Sequence, residues 1–554
     1  MACDVLLINP PFRLIPPFEY RLIDPPRNLA LIAAVLRARG WNVAILDMPI
    51  LGLDFDSLAP RLGELEPRAV GISNRSTYSF PIVERVAAEV KAWRGEVPVF
   101  AGGTFVSFCP EEALRRASTI DFIVVGEGEV TAPLVVQTLL SGGRDLSGIP
   151  GVAYRNADGV PVVNLPAPHL NDLKDLPLPA LDLLPVDRYV ARNERYILDV
   201  TRGCTNACAY CTSSYVKKSI RFRPPAQVVE EMRRAYDLGF RSFYFHDDTF
   251  TADPAQIQAI CRLIIEAGWK IRWPCMTRVD MVDRETLTLM CRAGCDLVAY
   301  GIESTAESLR RAGKVQDEAK ILAAFDLTKT CGIRPLAFVM FGMPGNTLAD
   351  EFRTIRFLTE LQPEAVGVFS FKPYPGTVYY ARPAEHGITI EETDFSRWSQ
   401  LDEPTHSTDY LTRQEIIEAM VTCNYLFRSG GTMSAGVKYR RRRGVLCLKT
   451  GEGGILYNPY VPPHVRKTDM YLNGLKVNPE YFEVLYRCDG YHSIEDIVAV
   501  VAKLFDMAPE AARAKVDEVI AAAKERGLIE EIPDVMRGGD SPRRQPLVFG
   551  GGLV

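Results

Sequence analysis

The chain has 554 residues, 47% hydrophobic and 24% charged, proportions that exclude a disordered, collagenous or coiled-coil protein. At roughly 150 residues per domain it should hold about three or four structural units. Lys and Arg number 64 against 69 Asp and Glu, so the net charge of −5 argues against a nucleic-acid binder that works by neutralising phosphates. The opening MACDVLLINPP carries Asp4 ahead of a short apolar run and is expected to be a buried strand, not a signal peptide. No apolar run approaches the roughly 20 residues that span a bilayer, so no membrane is expected. Thirteen cysteines without a secretion signal point to free thiols in a reducing, cytoplasmic setting.

In chain order, apolar runs predict strands at Val5–Ile8, Val43–Leu46, Ala69–Ile72, Val97–Ala101 and Phe122–Val125, with helices at Leu29–Arg39 and Val83–Trp93. This pattern reads as an α/β domain with a parallel, doubly wound, Rossmann-like sheet over residues 1–150. Residues 151–193 turn loop-like and include the Pro-rich DLKDLPLPALDLLPVDRY, the composition of a connector. A second βα series follows, with strands at Tyr196–Val200, Ser242–His246, Ile271–Met276, Leu297–Gly301, Leu336–Phe341 and Val366–Phe371. Six repeats predict a partial (β/α)6, TIM-like barrel over residues 194–429. Val228, Met232, Ala235 and Tyr236 share one face of its first helix, and Gly239 is placed to end it. Beyond residue 430 come short strands and then helices, with a Ser493-x-x-Asp496 start and a long helix from Pro509 to Arg526. These give a small α+β, winged-helix-like domain over 430–532. The tail 533–554, rich in Gly, Pro and Arg, is expected to be disordered.

The strongest chemical signal is RGCTNACAYC, in which Cys204, Cys208 and Cys211 follow the first strand of the second series. Three thiolates in one loop can hold three irons of a 4Fe-4S cluster and leave the fourth open. On the residues alone, buried free thiols or a zinc site short of one ligand stay open as alternatives. The loop lies at the carboxyl end of a barrel strand, where catalytic groups of such folds sit. This motif in this position resembles the radical SAM enzymes. The resemblance implies that the open iron binds S-adenosylmethionine and that cluster reduction cleaves the sulfonium to a 5′-deoxyadenosyl radical. It places Tyr210 near the adenine, Asp247 and Asp248 of FYFHDDTFT on the methionine ammonium, and Glu303 and Ser304 of YGIES on the ribose. Thr277, Arg278 and Asp280 of WPCMTRVD, Gly342 and Gly345 of FVMFGMPGNT, and Tyr374 of FKPYPGT complete the strand ends. Cys291 and Cys295 lack cluster spacing and read as packed thiols.

A leading α/β domain joined by such a connector resembles the cobalamin-binding domain of this family. Its Asp-x-His-x-x-Gly motif corresponds to Asp47-Met-Pro-Ile-Leu-Gly52, with Pro49 in place of the cobalt-ligating histidine, and residues 1–168 contain no histidine at all. The later family positions correspond to Ser73-Asn-Arg75, Gly102-Gly103, and Gly126 and Glu127 of VVGEGE, with Thr77 and Thr104 beside them. Glycines at strand ends let backbone approach a corrin closely. Arg75 would lie near the lower cobalt face, where a guanidinium cannot act as an ordinary ligand.

The stretch from Met470 to Glu530 resembles the RiPP recognition elements, which add a leader peptide to a sheet edge. Lys438 and Arg440 to Arg443 could attract an acidic leader, or be merely solvated. Together these resemblances imply a cobalamin-dependent radical SAM methyltransferase acting on a carbon of a ribosomally made peptide or another natural-product precursor. Cys204, Cys208, Cys211 and Arg75 are the expected catalytic residues, and the cofactors are a 4Fe-4S cluster, cobalamin and S-adenosylmethionine. A flavodoxin or ferredoxin is the expected electron donor. A cyclase or rearrangement enzyme, a non-radical methylase of an aromatic ring, and a non-catalytic peptide-binding scaffold are the alternatives.

Overall fold

The run VLLIN forms β1 (Val5–Asn9) and is buried at every position, as a parallel strand covered on both faces must be. In the computed structural model the described residues are 3–11, 23–170, 172–204, 206–212, 220–305, 307–428, 438–441, 447–451, 468–472, 475–476, 484, 489–525 and 529–532. β2 (Val43–Asp47) and β3 (Ala69–Asn74) flank β1 in parallel, and β4 (Val99–Gly103) and β5 (Phe122–Val124) continue the sheet. β6 (Val152–Arg155) and β7 (Pro161–Val163) then add antiparallel, giving the order β2-β1-β3-β4-β5-β6-β7. This hairpin departs from the expected all-parallel sheet and runs into the stretch read as a connector. Its turn is held by Asn156, whose Oδ1 accepts from Val160 N at 2.9 Å, and by Gly159 at φ +76°. Leu29, Ala33, Leu36, Val135 and Val136 cover one face of the sheet. Leu58, Leu62, Val83, Val86 and Val90 belong to the core on the other, so the domain is doubly wound.

The second sheet contains β8 (Tyr196–Leu198), β11 (Phe243–Phe245), β12 (Trp273–Thr277), β13 (Cys295–Glu303), β14 (Arg334–Phe341) and β15 (Ala365–Ser370). All are parallel and each pairs with the next, the open arc of a partial barrel. Between β8 and β11, β9 (Thr201–Arg202) and β10 (Arg221–Phe222) form a short antiparallel pair. The first barrel helix, Pro225–Asp237, buries Val228, Met232 and Ala235, and Gly239 follows it at φ +109°. Later helices start at side-chain caps: Asp253 accepts from Ala255 N and Gln256 N, Asp283 from Thr286 N, and Thr347 and Asp350 form a capping box. β16 (Ile388–Ile390) and β17 (His406–Thr408) form a hairpin beyond the barrel.

The chain divides into two compact units, Met1–Ile416 and Ile417–Val548. In the first, Phe395 and Trp398, from beyond β15, join Phe80 and Phe105 in the core beneath the first sheet. The Arg116 guanidinium lies 4.1 Å from the centre of the Phe395 ring. The two sheets are therefore built into one body. In the second unit, β18 (Lys438–Arg441) lies between β22 (Asp489–Ser493) and β23 (Ile529–Ile532), and β19 (Cys447–Gly451), β20 (Thr468–Leu472) and β21 (Leu475–Lys476) form a second small sheet. Helices Ile494–Phe505 and Pro509–Glu525 pack through Ile497, Val501, Val516, Val519 and Ile520. The first begins directly after Ser493, at the expected start. The tail expected to be disordered, and Arg442 and Arg443, lie outside the described residues. No helix among the described residues is long and apolar enough to cross a membrane.

His406 on β17 is fully buried, its Nε2 2.9 Å from the Gly342 carbonyl oxygen. Burial pushes the ring down from 6.5 to about 4. The unfolded chain therefore binds this proton first, so the stabilisation is complete above pH 6.5 and lost as pH falls toward 4. Over that window the protein should lose about 3 kcal/mol more than its His406→Gln variant. Urea melts at both ends of the window check this.

Candidate active site

β8 ends at Leu198, and Val200 and Thr201 lead directly into the cysteine loop. Asp247, buried just past β11, holds this segment: its carboxylate accepts from Val200 N at 3.0 Å, Thr201 N at 2.5 Å and Thr201 Oγ1 at 2.7 Å. Burial and the neighbouring Asp199 push the Asp247 carboxyl up to about 7, against the pull of these hydrogen bonds. The expectation that Asp247 binds the methionine ammonium is thus corrected, because a carboxylate 1% exposed and filled by three protein donors is a backbone brace. Its neighbour Asp248 is the exposed carboxylate at this strand end.

Cys208 is buried, and Cys204 and Cys211 are half-buried. A second segment fixes their loop: Ala209 N donates to the Ala312 carbonyl at 2.8 Å. Gly313 sits at φ +83°, where an added Cβ would stand 3.0 Å from the Ala207 carbonyl oxygen, so only glycine lets the two segments run this close. Next to it, the buried Lys314 donates from Nζ to the Gly301 carbonyl at 2.7 Å and to Glu303 Oε1 at 3.0 Å. Burial pushes the Cys208 thiol up, while Lys314, a hydrogen bond with Tyr210, and Arg278 pull it down toward the thiolate a metal needs. Glu303 has φ +61°, an uncommon left-handed conformation for a side-chain-bearing residue. Arg278 is held by a two-pronged pair with Asp280, both bonds 2.9 Å.

The structure therefore brings Arg278 and Glu303 beside Tyr210 and the other residues of the cysteine loop, and adds Lys314, which the sequence alone did not single out. Its only signal there is a lysine directly after a glycine in RRAGKV. Ser304 goes elsewhere. It is buried beside Asn346 and Thr354, each 3.4 Å from its hydroxyl, a network that shapes the loop after β14 rather than a ribose contact. Among the described residues no three His, Cys, Asp or Glu side chains converge on one point as ligands of a single ion do. Thiolates that each bind a different iron of one cluster need no such convergence, so the donor set fits a 4Fe-4S group.

At the carboxyl end of the first sheet, Asp47 is fully buried and receives Asn9 Nδ2 at 2.8 Å and the Tyr189 hydroxyl. Burial pushes its carboxyl up, and the Tyr189 and Asn9 bonds and the nearby Arg75 charge pull it down. Pro49 lies in the one-turn helix Met48–Leu51, closed by Gly52 at φ +67°. The aspartate of the altered motif thus holds a tyrosine of the connector. Ser73 and Gly102 are direct neighbours in the β3–β4 register. Gly103, at φ +120°, passes so close to β3 that a Cβ would stand 2.0 Å from the Asn74 carbonyl oxygen. Asn74 Oδ1 accepts from Phe105 N at 3.1 Å and pins the turn that carries Thr104. Thr77 is buried in the turn Thr77–Ser79. Gly126 is exposed at φ +80°, with no atom within 4 Å of a would-be Cβ. These strand ends offer close backbone and open space, as a flat macrocycle requires. Two expected cofactor contacts are redirected. Glu127 turns to Arg221, and the Tyr374 hydroxyl donates to the Trp398 carbonyl at 3.0 Å.

Comparison with known proteins finds family matches along three stretches of the chain. Residues 19–136 match the B12 binding domain, residues 198–358 the radical SAM superfamily, and residues 470–529 the coenzyme PQQ synthesis protein D family. An uncharacterized methyltransferase of Pyrococcus horikoshii is 31% identical over 418 residues, covering 74% of this chain and 89% of the relative. The anaerobic magnesium-protoporphyrin IX monomethyl ester cyclase of Rubrivivax gelatinosus is 26% identical over 414 residues, 72% of this chain and 73% of its own. Among solved structures, the radical S-adenosylmethionine methyltransferase TsrM of Kitasatospora setae, with tryptophan and a S-adenosylmethionine analogue bound, superposes with a TM-score of 0.59. That match has 21% identity and covers 70% of this chain and 79% of the neighbour.

Proposed function

Since this chain belongs to the cobalamin-dependent radical SAM methyltransferase family, we propose that it methylates a carbon of a ribosomally made peptide. Its cofactors are a 4Fe-4S cluster, S-adenosylmethionine and cobalamin. The observation that supports the peptide substrate is the match of residues 470–529 to the coenzyme PQQ synthesis protein D family, carried on a compact unit separate from the two cofactor domains. When bound, the cluster with S-adenosylmethionine supplies one-electron activation of carbon, and cobalamin supplies the methyl group.

The protein's own residues have distinct tasks in this reading. Cys204, Cys208 and Cys211 hold the cluster, with Lys314 and Arg278 as the fixed positive charges that favour thiolates. Tyr210 and Glu303 border the S-adenosylmethionine seat, and the exposed Asp248 replaces Asp247 as the carboxylate able to meet an ammonium. Ser73, Gly102, Gly103, Thr104 and Gly126 form the cobalamin seat, with Arg75 and Thr77 beside it. Residues 1–168 contain no histidine, so this domain would offer cobalamin no imidazole, and its Asp47 holds Tyr189 instead. The domains are residues 1–150, 151–193, 194–429 and 430–532, extended by the β6–β7 hairpin on the first. The chain works in the cytoplasm, with a flavodoxin or ferredoxin as donor.

Two measurements test this. Anaerobic reconstitution should load four irons and one cobalamin, and the Cys204→Ala/Cys208→Ala/Cys211→Ala protein should lose the irons but keep cobalamin. A variant retaining all four irons would end the cluster assignment. Removal of residues after 430, with cofactor loading intact, should raise KM for a full precursor at least tenfold and leave a short core peptide little changed. An unchanged kcat/KM for the full precursor would move a free small molecule to first place.

A further inference from the structure

The cysteine loop is closed at its base by β9 and β10, in a register that sets Arg202 directly opposite Arg221. Two like charges facing each other on an antiparallel pair repel, so this arrangement needs anions between or beside them. One is Asp199, whose Oδ2 lies 3.8 Å from Arg202 Nε; the other two come from one turn of the first domain, the VVGEGE loop after β5. Arg221 grips Glu127 with two prongs, Nη1 to Oε2 at 2.9 Å and Nη2 to Oε1 at 2.8 Å. Arg202 donates from Nη2 to Glu129 Oε1 at 2.6 Å, and its Nη1 lies 3.5 Å from Glu127 Oε1. The connector closes the circle, because Leu170 N donates to Glu127 Oε2 at 3.1 Å and Arg221 Nη1 donates to the Leu170 carbonyl at 2.8 Å. The two arginines and the two glutamates are only 9–14% exposed, so the pairs are screened far less than surface ones. Arg202 stands two residues before Cys204, and Glu127 directly follows Gly126, a residue of the cobalamin seat proposed above. One rigid turn thus touches both cofactor loops.

We infer that Glu127 and Glu129 are positioning residues, a clamp that couples the cysteine loop to the cobalamin seat so that filling either site favours filling the other. This rests on the cofactor assignments above. The rationale is thermodynamic: if the cluster fixes the loop, it fixes Arg202 and Arg221, and through them the turn beside cobalamin, and the coupling is reciprocal. A direct contact between Glu127 and cobalamin makes a different prediction, because it would act whether or not the cluster is present.

The test titrates the full chain with hydroxocobalamin, before and after cluster reconstitution, by absorbance. The wild-type protein should bind about tenfold more tightly with the cluster in place. In the Glu127→Gln/Glu129→Gln protein the two affinities should become equal, with the cluster-free affinity changed less than about threefold. A wild-type ratio of one overturns the inference, as does a double variant that keeps the wild-type ratio while losing affinity in both states. The latter result would make Glu127 a direct cofactor ligand. Failure of the wild-type chain to bind cobalamin or build a cluster would instead overturn the proposed function itself. If the double variant does not fold, Arg221→Lys, which keeps the charge but loses the fork, should lower the ratio at least about threefold. An unchanged ratio in a folded Arg221→Lys protein overturns the inference.

Discussion

Replacing Glu231 by alanine should destabilise the first unit by about 3–5 kcal/mol, enough to unfold a marginal protein at moderate temperature. Glu231 is 1% exposed and accepts from Arg27 Nε at 2.5 Å, Arg27 Nη2 at 3.0 Å, Arg223 Nη2 at 2.6 Å and the Tyr196 hydroxyl at 2.8 Å. Arg27 begins the first helix of the first domain, whereas Glu231 lies on the first barrel helix, so the network ties the two sheets together. The alanine leaves two guanidinium groups and a hydroxyl buried without their shared acceptor. Arg27 keeps Asp199, and Arg223 keeps the Asp199 carbonyl, which is why the loss should stop short of the cost of two bare charges. Glu231→Gln, which retains the shape and one acceptor oxygen, should lose about half as much. Urea melts of the three proteins decide it, and a loss under about 1 kcal/mol for alanine would show that these charges remain hydrated.

Gly103→Ala should be nearly as damaging, by about 3 kcal/mol or more, and should reduce cobalamin affinity at least tenfold. The new Cβ would meet the Asn74 carbonyl oxygen at 2.0 Å, and the backbone would have to hold φ +120° with a side chain present. Neither strand can yield easily, because Asn74 and Gly103 are partners in the β3–β4 register and Asn74 Oδ1 also pins Phe105 N. Gly102→Ala is the informative companion. Its Cβ would stand 3.7 Å from the Val124 carbonyl oxygen, an ordinary contact, so the protein should keep its stability. If that variant also binds hydroxocobalamin normally, the macrocycle does not lie over the end of β4. Thermal melts and absorbance titrations separate the two effects.

Local patterns in the sequence were sufficient for the parallel strands of the two large sheets and for the cluster motif. A run such as VLLIN is buried on both faces wherever it lies, and Cys204, Cys208 and Cys211 need only their own spacing and the strand before them. The absence of histidine from residues 1–168 was equally legible, since a missing residue type needs no structure to notice. What the tertiary structure alone decided was the direction in which each polar side chain turned. Asp247 and Ser304 are strand-end residues of the kind that meet ligands, yet both face inward, toward Val200 and Thr201 in one case and Asn346 and Thr354 in the other. Glu127 reaches Arg221 across 94 residues of chain, and Arg27 reaches Glu231 across 204. A carboxylate's partner is set by the charge that folding delivers beside it, and residues so far apart leave no local pattern to read. Spacing therefore determined which chemistry the chain can hold, and the fold determined which side chains hold it and which only keep the loops in place.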